Sequence, residues 1–167
     1  PAVSQAIGHL ERDFGVDLFR RSATGMHPTV FGSLLRQRLE RGFRGLSAAL
    51  DPVAAQAGSE PRAVSPANLA TGNQLAVLVA AVESGSVHGA ARRLQITGKS
   101  VGRNLKQLED RLGRSLLHRE GELLRPTRLG SELVRATKLF NRELELAREE
   151  ILAEQGITSG RLVVGAL

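Results

Sequence analysis

The chain has 167 residues, a formal net charge of +6 and a sequence pI of about 11.1. It contains no cysteine, which excludes disulfides and thiolate chemistry and fits a reducing, cytoplasmic setting. The longest apolar run, Leu75–Val82, is far too short to cross a bilayer. The positive charge favours an anionic partner, with nucleic acid ahead of membrane; the alternative is an ordinary basic surface.

The N-terminal part of the chain predicts a helix, a hairpin and a long helix, followed by a linker. The predicted elements are a helix over Pro1–Phe14, a hairpin over about Leu18–His27, and a long helix from Pro28-Thr29 with the pairing stripe Leu35, Leu39, Phe43, Leu46 and Leu50. Asp51-Pro52 is expected to interrupt this helix. From there to Gly72, the Ala, Pro, Ser and Gly content predicts a flexible linker.

The second half predicts three helices, a hairpin and another long helix. In chain order these are a helix over Asn73–Ser84, a short helix over Val87–Leu94, a turn at Gln95–Thr97, a third helix to about Leu112, a hairpin from Leu116 to Arg125, and a long helix from Pro126-Thr127 to about Gln155. Gly85 and Gly113 mark helix ends. Thr97 or Ser100 is placed to cap the third helix.

An apolar stripe along the last long helix advances by three or four residues at each step, which is typical of a helix that pairs with another. It predicts dimerisation; packing on the chain's own head regions and pairing of the two long helices inside one chain are the alternatives. The stripe consists of Leu133, Ala136, Phe140, Leu144, Ala147 and Ile151. Gly156 closes the helix, and residues 160–167 are typical of the first strand of a further domain.

Residues 1–35 align with residues 99–133 at a constant offset of 98 and without a gap. A fixed long period indicates two copies of one structural unit, and we refer to these segments as the first and second repeats. The counterpart of helix Asn73–Ser84 would precede Pro1. The first copy is therefore expected to lack two helices, about 26 residues, and the chain to be a fragment. The identical pairs are Val3 and Val101, Leu10 and Leu108, Glu11 and Glu109, Gly15 and Gly113, Leu18 and Leu116, Arg21 and Arg119, Pro28 and Pro126, Thr29 and Thr127, Gly32 and Gly130, Ser33 and Ser131, and Leu35 and Leu133.

A short helix, a tight turn and a second helix with a basic polar face form a helix-turn-helix, whose second helix enters the major groove. Arg103 can chelate a guanine edge, and Asn104 or Gln107 an adenine edge. Phosphate contacts set affinity and register. The side chains best placed for phosphates are Lys99, Arg119, Arg125 and Arg128. The further candidates for DNA contact are Ser100, Lys106 and Thr127, together with Arg21 and Thr29 of the first repeat.

The positive charge is concentrated on this head. Residues 92–128 contain ten Lys or Arg and four Asp or Glu, whereas residues 129–155 contain four basic and six acidic residues. This separation favours a nucleic-acid-binding head on a helical stalk over an evenly charged surface.

Two stretches resemble the DNA-binding domain of LysR-type transcriptional regulators. The first is Pro1-Ala-Val-Ser-Gln-Ala-Ile-Gly-His-Leu-Glu11 with Phe14-Gly-Val-Asp-Leu-Phe-Arg-Arg21. The second is Gly85-Ser-Val-His-Gly-Ala-Ala-Arg-Arg-Leu94 with Leu108-Glu109, Leu112-Gly113 and Arg125-Pro-Thr-Arg-Leu-Gly130. The resemblance covers nearly everything outside the linker.

The resemblance implies a mainly α, winged helix-turn-helix fold in two copies, long linker helices used for dimerisation, and a separate inducer-binding domain. It places DNA contacts at Thr97, Gly98, Lys99, Gly102 and Arg103, and in the first repeat at Pro1, Ser4 and Gln5. Where the family commonly has Gln-Pro-Ala-Val-Ser, this chain has Gly98-Lys-Ser-Val-Gly102, so two glycines replace side chains that would read DNA.

The expected domains are a partial winged helix-turn-helix with its linker helix over 1–50, a flexible linker over 51–72, a winged helix-turn-helix over 73–128, a dimerisation helix over 129–156, and the start of a truncated effector domain over 157–167. No cofactor is expected. The four histidines lack metal-ligand spacing, and no nucleophile–base pair indicates an enzyme. We therefore expect a sequence-specific transcription regulator that binds duplex DNA and forms a homodimer or higher oligomer, with no membrane partner. A small-molecule effector would bind only through a domain outside this chain. The alternative is a dimerisation or interaction module, derived from such a regulator, that no longer reads DNA.

Overall fold

The computed structural model describes residues 2–23, 25–56 and 70–156, which are mainly α-helical with two short antiparallel hairpins. Pro1, residues 57–69 of the expected linker and the expected effector-domain start at 157–167 lie outside the described residues. The described elements are α1 (Ala2–Phe14), β1 (Phe19–Ser22), β2 (Gly25–Pro28), α2 (Val30–Gln56), α3 (Gly72–Ser84), α4 (Val87–Leu94), α5 (Gly98–Leu112), β3 (Leu117–Glu120), β4 (Leu123–Pro126) and α6 (Arg128–Glu154).

These elements form two compact units. Among the described residues, unit 1 combines those up to Glu40 with those from Arg142 onward, and unit 2 holds those from Arg41 to Asn141. Unit 1 therefore holds the first repeat together with the last part of α6. Unit 2 holds α3, α4, α5 and the second hairpin, together with the second part of α2 and the first part of α6.

Local capping sets the helix ends in unit 2. Thr71 and Gln74 form a capping box at the start of α3, where the Gln74 backbone N–H donates to Thr71 Oγ1 at 3.3 Å. Gly85 ends α3 in the left-handed region at φ 64°. Gln95 ends α4 in the same region at φ 55°, which makes the tight turn before α5. The predicted bounds of α4 and the predicted C-terminus of α5 are confirmed.

The β3–β4 hairpin of unit 2 pairs Leu117 with Pro126 and turns at Gly121, whose φ is 60°. The backbone N–H of Leu124 donates to Gly85 O at 2.7 Å. This bond ties the hairpin to the turn between α3 and α4. The hairpin is the wing of the predicted winged helix-turn-helix.

The core of unit 2 lies between α3, α4, α5 and parts of both long helices. Helix α5 buries the face that the sequence predicts, and α2 contributes Leu46 and Leu50, each 2% exposed. The rings of Phe43 and Phe140 meet edge to face, with centroids 5.1 Å apart. The buried face of α5 consists of Val101, Leu105, Leu108 and Leu112.

Unit 1 has a smaller core, to which the first repeat and α6 both contribute. Leu18 and Leu35 of the first repeat cluster with Ile151 of α6, and all three are nearly fully buried. The Arg148 guanidinium lies 4.8 Å from the centroid of the Phe14 ring, a cation–π contact between α6 and the end of α1. The last part of α6 thus packs against the apolar residues of the first repeat and completes this core.

Helix α1 differs from α5 in how much of its apolar face is covered. Val3 is 73% exposed and Leu10 is 38% exposed, whereas their counterparts Val101 and Leu108 are fully buried. In unit 2 the covering residues come from α3 and α4. Within the described part of unit 1, no element covers α1 in that way.

The expected helix break at Asp51-Pro52 is wrong, because the helical backbone of α2 continues to Gln56. Proline removes one backbone hydrogen bond, but its restricted φ near −65° is itself helical. The expected linker start at residue 51 therefore lies inside α2.

Candidate nucleic-acid interface

Helices α4 and α5 form the predicted helix-turn-helix. Ala90 and Ala91 are 0% and 7% exposed, so small side chains do lie where the helices of unit 2 pack closely. Ser86 caps α4 by accepting from the Gly89 backbone N–H at 2.9 Å. Because α5 buries one face, its opposite face is left to solvent. The exposed residues of that face include Lys99, Gly102, Arg103, Lys106 and Gln107.

The first turn of α5 is held in place by its own side chains. Thr97 is the N-cap, and its Oγ1 accepts from the Ser100 backbone N–H at 3.1 Å. The Thr97 and Ser100 hydroxyl oxygens also lie 2.9 Å apart, within hydrogen-bond distance. A Cβ at Gly98 would touch Val87 at 3.7 Å, an ordinary contact, and a Cβ at Gly102 would meet nothing within 4 Å. The glycines therefore leave reading positions empty without any steric need.

Two basic side chains on α5 are available to a ligand. Within the described residues, the side chains of Lys99 and Arg103 are exposed and make neither a hydrogen bond nor an ion pair. By contrast, the Asn104 amide donates to Ser100 O at 2.9 Å, and Lys106 Nζ lies 3.2 Å from Asp110 Oδ1. That ion pair is exposed and weak, so a phosphate can replace it at little cost.

The wing and the start of α6 supply three further cations. Arg119 on β3 is exposed and has no ion pair with any described residue. Arg125 Nε lies 3.2 Å from Glu120 Oε2, and Arg128 Nε lies 3.1 Å from Glu132 Oε1. Both pairs are solvent-exposed, and such pairs typically contribute little.

Thr127, a candidate for DNA contact, also lies at the start of the long helix, where the sequence predicts a helix cap. Its Oγ1 donates toward Ser115 O at 3.0 Å and accepts from the Gly130 backbone N–H at 3.1 Å. Thr29 makes the corresponding bonds in the first repeat, to Asp17 O at 2.7 Å and from Gly32 N at 3.1 Å. Both hydroxyls fix the start of a long helix against its hairpin.

The first repeat presents its predicted contacts on separate elements. Ser4 and Gln5 lie exposed on α1, and Arg21 lies exposed on β1. Pro1 lies outside the described residues. Ser4 and Gln5 stand at the offset positions of Gly102 and Arg103, so the two helices carry different groups at equivalent places.

The sequence interpretation missed a carboxylate that joins α5 to the segment before the β3–β4 hairpin, and a matching one that joins α1 to the segment before the β1–β2 hairpin. Glu109 Oε1 accepts from the backbone N–H of Leu116 at 2.7 Å and of Leu117 at 3.2 Å. In the first repeat, Glu11 Oε1 accepts from Leu18 N at 2.9 Å. Identity at the 98-residue offset is the signal that marks this pair as structural.

A second missed group is Glu83 on α3. Its carboxylate is paired with Lys138 of α6 and with Arg93 of α4, whose Nη1 lies 2.7 Å from Glu83 Oε2. These two cations, Lys138 above all, hold the pKa of Glu83 below its usual range. The three residues thereby link α4 and α6 to α3.

Residues of the same chain pack against the predicted dimerisation stripe. Its N-terminal members pack in unit 2 and its C-terminal members pack in unit 1. The unit 2 members are Leu133, Ala136 and Phe140, and the unit 1 members are Leu144, Ala147 and Ile151.

Neither a membrane-spanning helix nor a metal cluster is found in the described ranges. No helix there is long and apolar enough to cross a membrane. No group of three or more His, Asp or Glu residues there is arranged to hold a metal ion.

The chain is similar in sequence to known proteins. The family model described as "Bacterial regulatory helix-turn-helix protein, lysR family" matches residues 1–33 and 73–131, more than half of the chain. The HTH-type transcriptional regulator GalR of Pseudomonas putida is 32% identical over 165 residues, which cover 99% of this chain and 40% of GalR. The HTH-type transcriptional regulator CrgA of Neisseria meningitidis is 37% identical over 91 residues, 54% of this chain and 30% of CrgA.

A solved structure of CrgA, a LysR-type transcriptional regulator from Neisseria meningitidis, is 36% identical with a TM-score of 0.45 and covers 54% of this chain and 31% of that one. The chain spans less than half the length of the curated relatives it matches. The extent of the family match nevertheless settles the classification: the chain belongs to the lysR family of bacterial regulatory helix-turn-helix proteins.

Proposed function

We propose that this chain is the DNA-binding part of a transcription regulator and that α5 enters the major groove of duplex DNA. The observation that carries the proposal is the exposed face of α5, where Lys99 and Arg103 have no partner among the described residues. A helix-turn-helix presents the N-terminal residues of its second helix to base edges. The names of the matched relatives, all transcriptional regulators, support the same role.

The roles of the individual side chains follow from their chemistry. Arg103 is assigned to a guanine edge, and Gln107 to an adenine edge. Asn104 reaches an adenine only after its amide leaves Ser100 O. Thr97 and Ser100 orient the first turn, and Gly98 and Gly102 let the backbone approach the groove closely. The side chains assigned to phosphates are Lys99, Lys106, Arg119, Arg125 and Arg128.

We also propose that the chain carries two copies of the DNA-binding domain, with α1 as the recognition helix of the first. The same carboxylate and threonine hydrogen bonds recur at the offset of 98, at Glu11 and Glu109 and at Thr29 and Thr127. The alignment to GalR runs through both repeats. Ser4, Gln5 and Pro1 are the base-edge candidates of this copy, and Arg21 with Thr29 the phosphate candidates. The site of action proposed is the cytoplasm, at the nucleoid, and any effector would act through another domain.

Duplex binding as a function of salt tests this proposal. Wild-type chain should bind a labelled mixed-sequence duplex with nanomolar to micromolar affinity, and the affinity should fall steeply as salt rises. Replacing Lys99 and Arg103 together by Ala should reduce the slope of log K against log salt by roughly 1–2. Arg142→Ala is the matched control, because Arg142 is paired with Glu145 on α6 and lies off the head.

A second candidate is an interaction module that no longer reads DNA. It is favoured by Gly98 and Gly102, which leave reading positions without side chains. Lack of any duplex binding at low salt, in a chain that is folded by circular dichroism, would support this second candidate and overturn the first.

A further inference from the structure

We infer that the two long helices pair within one chain, so that a single chain presents two unlike recognition helices to a DNA site without two-fold symmetry. This inference rests on the proposed function. Two identical chains joined about a two-fold axis present identical helices and read palindromic half-sites. A pairing inside one chain removes that requirement.

In unit 2 a small residue of α2 packs against a large residue of α6. A Cβ at Gly42 of α2 would lie 2.5 Å from Phe140 Cδ2, so the absence of a side chain at Gly42 makes room for the Phe140 ring. Phe43 then contacts the same ring edge to face. The large side chain of Phe140 on α6 is thus accommodated by the missing side chain of Gly42 on α2.

In unit 1 the two helices are joined by ion pairs. Arg38 of α2 has a side chain only 15% exposed, and its Nε donates to Glu150 Oε2 at 3.0 Å. Its Nη1 donates to Glu143 Oε2, also at 3.0 Å. The two carboxylates raise the pKa of Arg38 above its ordinary value. A partly buried guanidinium with two carboxylates on the neighbouring helix gives directional recognition as well as attraction.

The same contacts disfavour pairing of like helices. Position 42 is the 98-residue counterpart of position 140, so two α6 helices in this register would set Phe140 against Phe140, where the present pair has a glycine. The counterpart of Arg38 is Ala136, which offers no charge to Glu143 or Glu150. Two α2 helices would instead place Gly42 against Gly42 and leave a gap. Unlike pairing is therefore the better packed arrangement.

The two recognition helices that this pairing places in one chain differ across the reading face. Gln5 of α1 corresponds to Arg103 of α5, so an amide that suits adenine stands where the other helix has a guanidinium that suits guanine. The further unlike pairs are Ser4 and Gly102, Ala6 and Asn104, Gly8 and Lys106, and His9 and Gln107. The proposed ligand is therefore a duplex with two different half-sites.

Selection from a random duplex library with the 167-residue chain, followed by mass measurement of the complex in solution, tests the inference. The expected result is one chain of 17.9 kDa per duplex and an enriched motif with two unlike half-sites. Gln5→Arg should shift the base preference from adenine to guanine in one half-site on the order of tenfold. Arg103→Gln should make the reciprocal change in the other half-site.

Two chains per duplex, a palindromic motif or a motif with a single half-site would each overturn the inference while leaving the proposed function in place. If no duplex is enriched even at low salt, the proposed function fails and the inference fails with it.

Discussion

The carboxylate of Glu109 accepts a hydrogen bond from the backbone N–H of Leu116 over 2.7 Å. The bond joins the last turn of α5 to the segment that leads into the β3–β4 hairpin. Glu11 and Leu18 repeat the arrangement in the first repeat. This acidic side chain on a basic head thus satisfies backbone donors where the chain turns from helix to strand.

Glu109→Ala is expected to reduce the free energy of unfolding by about 1–3 kcal/mol, because two backbone N–H groups, including that of Leu116, lose their acceptor. Glu109→Gln keeps an oxygen acceptor and should cost clearly less. Urea denaturation of both variants measures the difference. Equal losses in the two variants would contradict the hydrogen-bond explanation.

Leu108→Ala and Leu10→Ala form a pair matched by the repeat. Leu108 is fully buried, and its truncation should cost about 2–5 kcal/mol of unfolding free energy. Leu10 is 38% exposed, so its truncation should cost about 1 kcal/mol or less. Chemical denaturation compares the two directly. A similar loss at both positions would show that α1 is as well covered in solution as α5.

Gly42→Ala and Gly45→Ala test the fit between the long helices in unit 2. A Cβ at Gly42 would press on the Phe140 ring, and we expect a loss of about 1–3 kcal/mol. A Cβ at Gly45 meets nothing within 4 Å, so the better helix propensity of alanine should add about 0.5–1 kcal/mol. Thermal melts followed by circular dichroism distinguish the two. Stabilisation by both substitutions would exclude a close contact at Gly42.

Glu83→Gln tests the ion-pair network of unit 2 by its pH dependence. Lys138 and Arg93 lower the pKa of Glu83 in the folded state, so its stabilising contribution is complete above the unfolded-state pKa. The contribution is lost as pH falls through the folded-state pKa. Wild-type chain should therefore lose more stability than Glu83→Gln on acidification below about pH 4.5. Urea denaturation across this pH range measures the difference. If the urea midpoints of wild type and Glu83→Gln fall in parallel, the result contradicts a stabilising role for the network.

The parts of the fold that sequence predicts well are those determined locally. Gly85 and Gly113 end helices because glycine enters the left-handed region without strain, and both predictions are confirmed. The apolar spacing of α5 likewise predicts its buried face, from Val101 to Leu112. The helix break that the sequence predicts at Pro52 is wrong, since α2 continues through this residue.

The parts that sequence does not predict depend on distant residues. The stripe from Leu133 to Ile151 indicates that α6 pairs with something, but spacing alone does not name the partner. Val3 and Val101 are the same residue at the same repeat position, yet one is exposed and the other is buried. That difference depends on which elements cover the helix, and α3 and α4 cover only α5 among the described residues.

The proposed pairing of the long helices within one chain has a consequence for association with related regulators. Two separate chains come apart on dilution, whereas tethered helices meet at an effective concentration that does not change with the number of molecules in the cell. Phe140 and Ile151 pack against residues of their own chain, so under the proposed intrachain pairing we expect this surface to be unavailable to the long helices of other regulators. We therefore expect this chain to form no mixed dimers through the stripe, so that a signal from another regulator would not reach its target genes by that route.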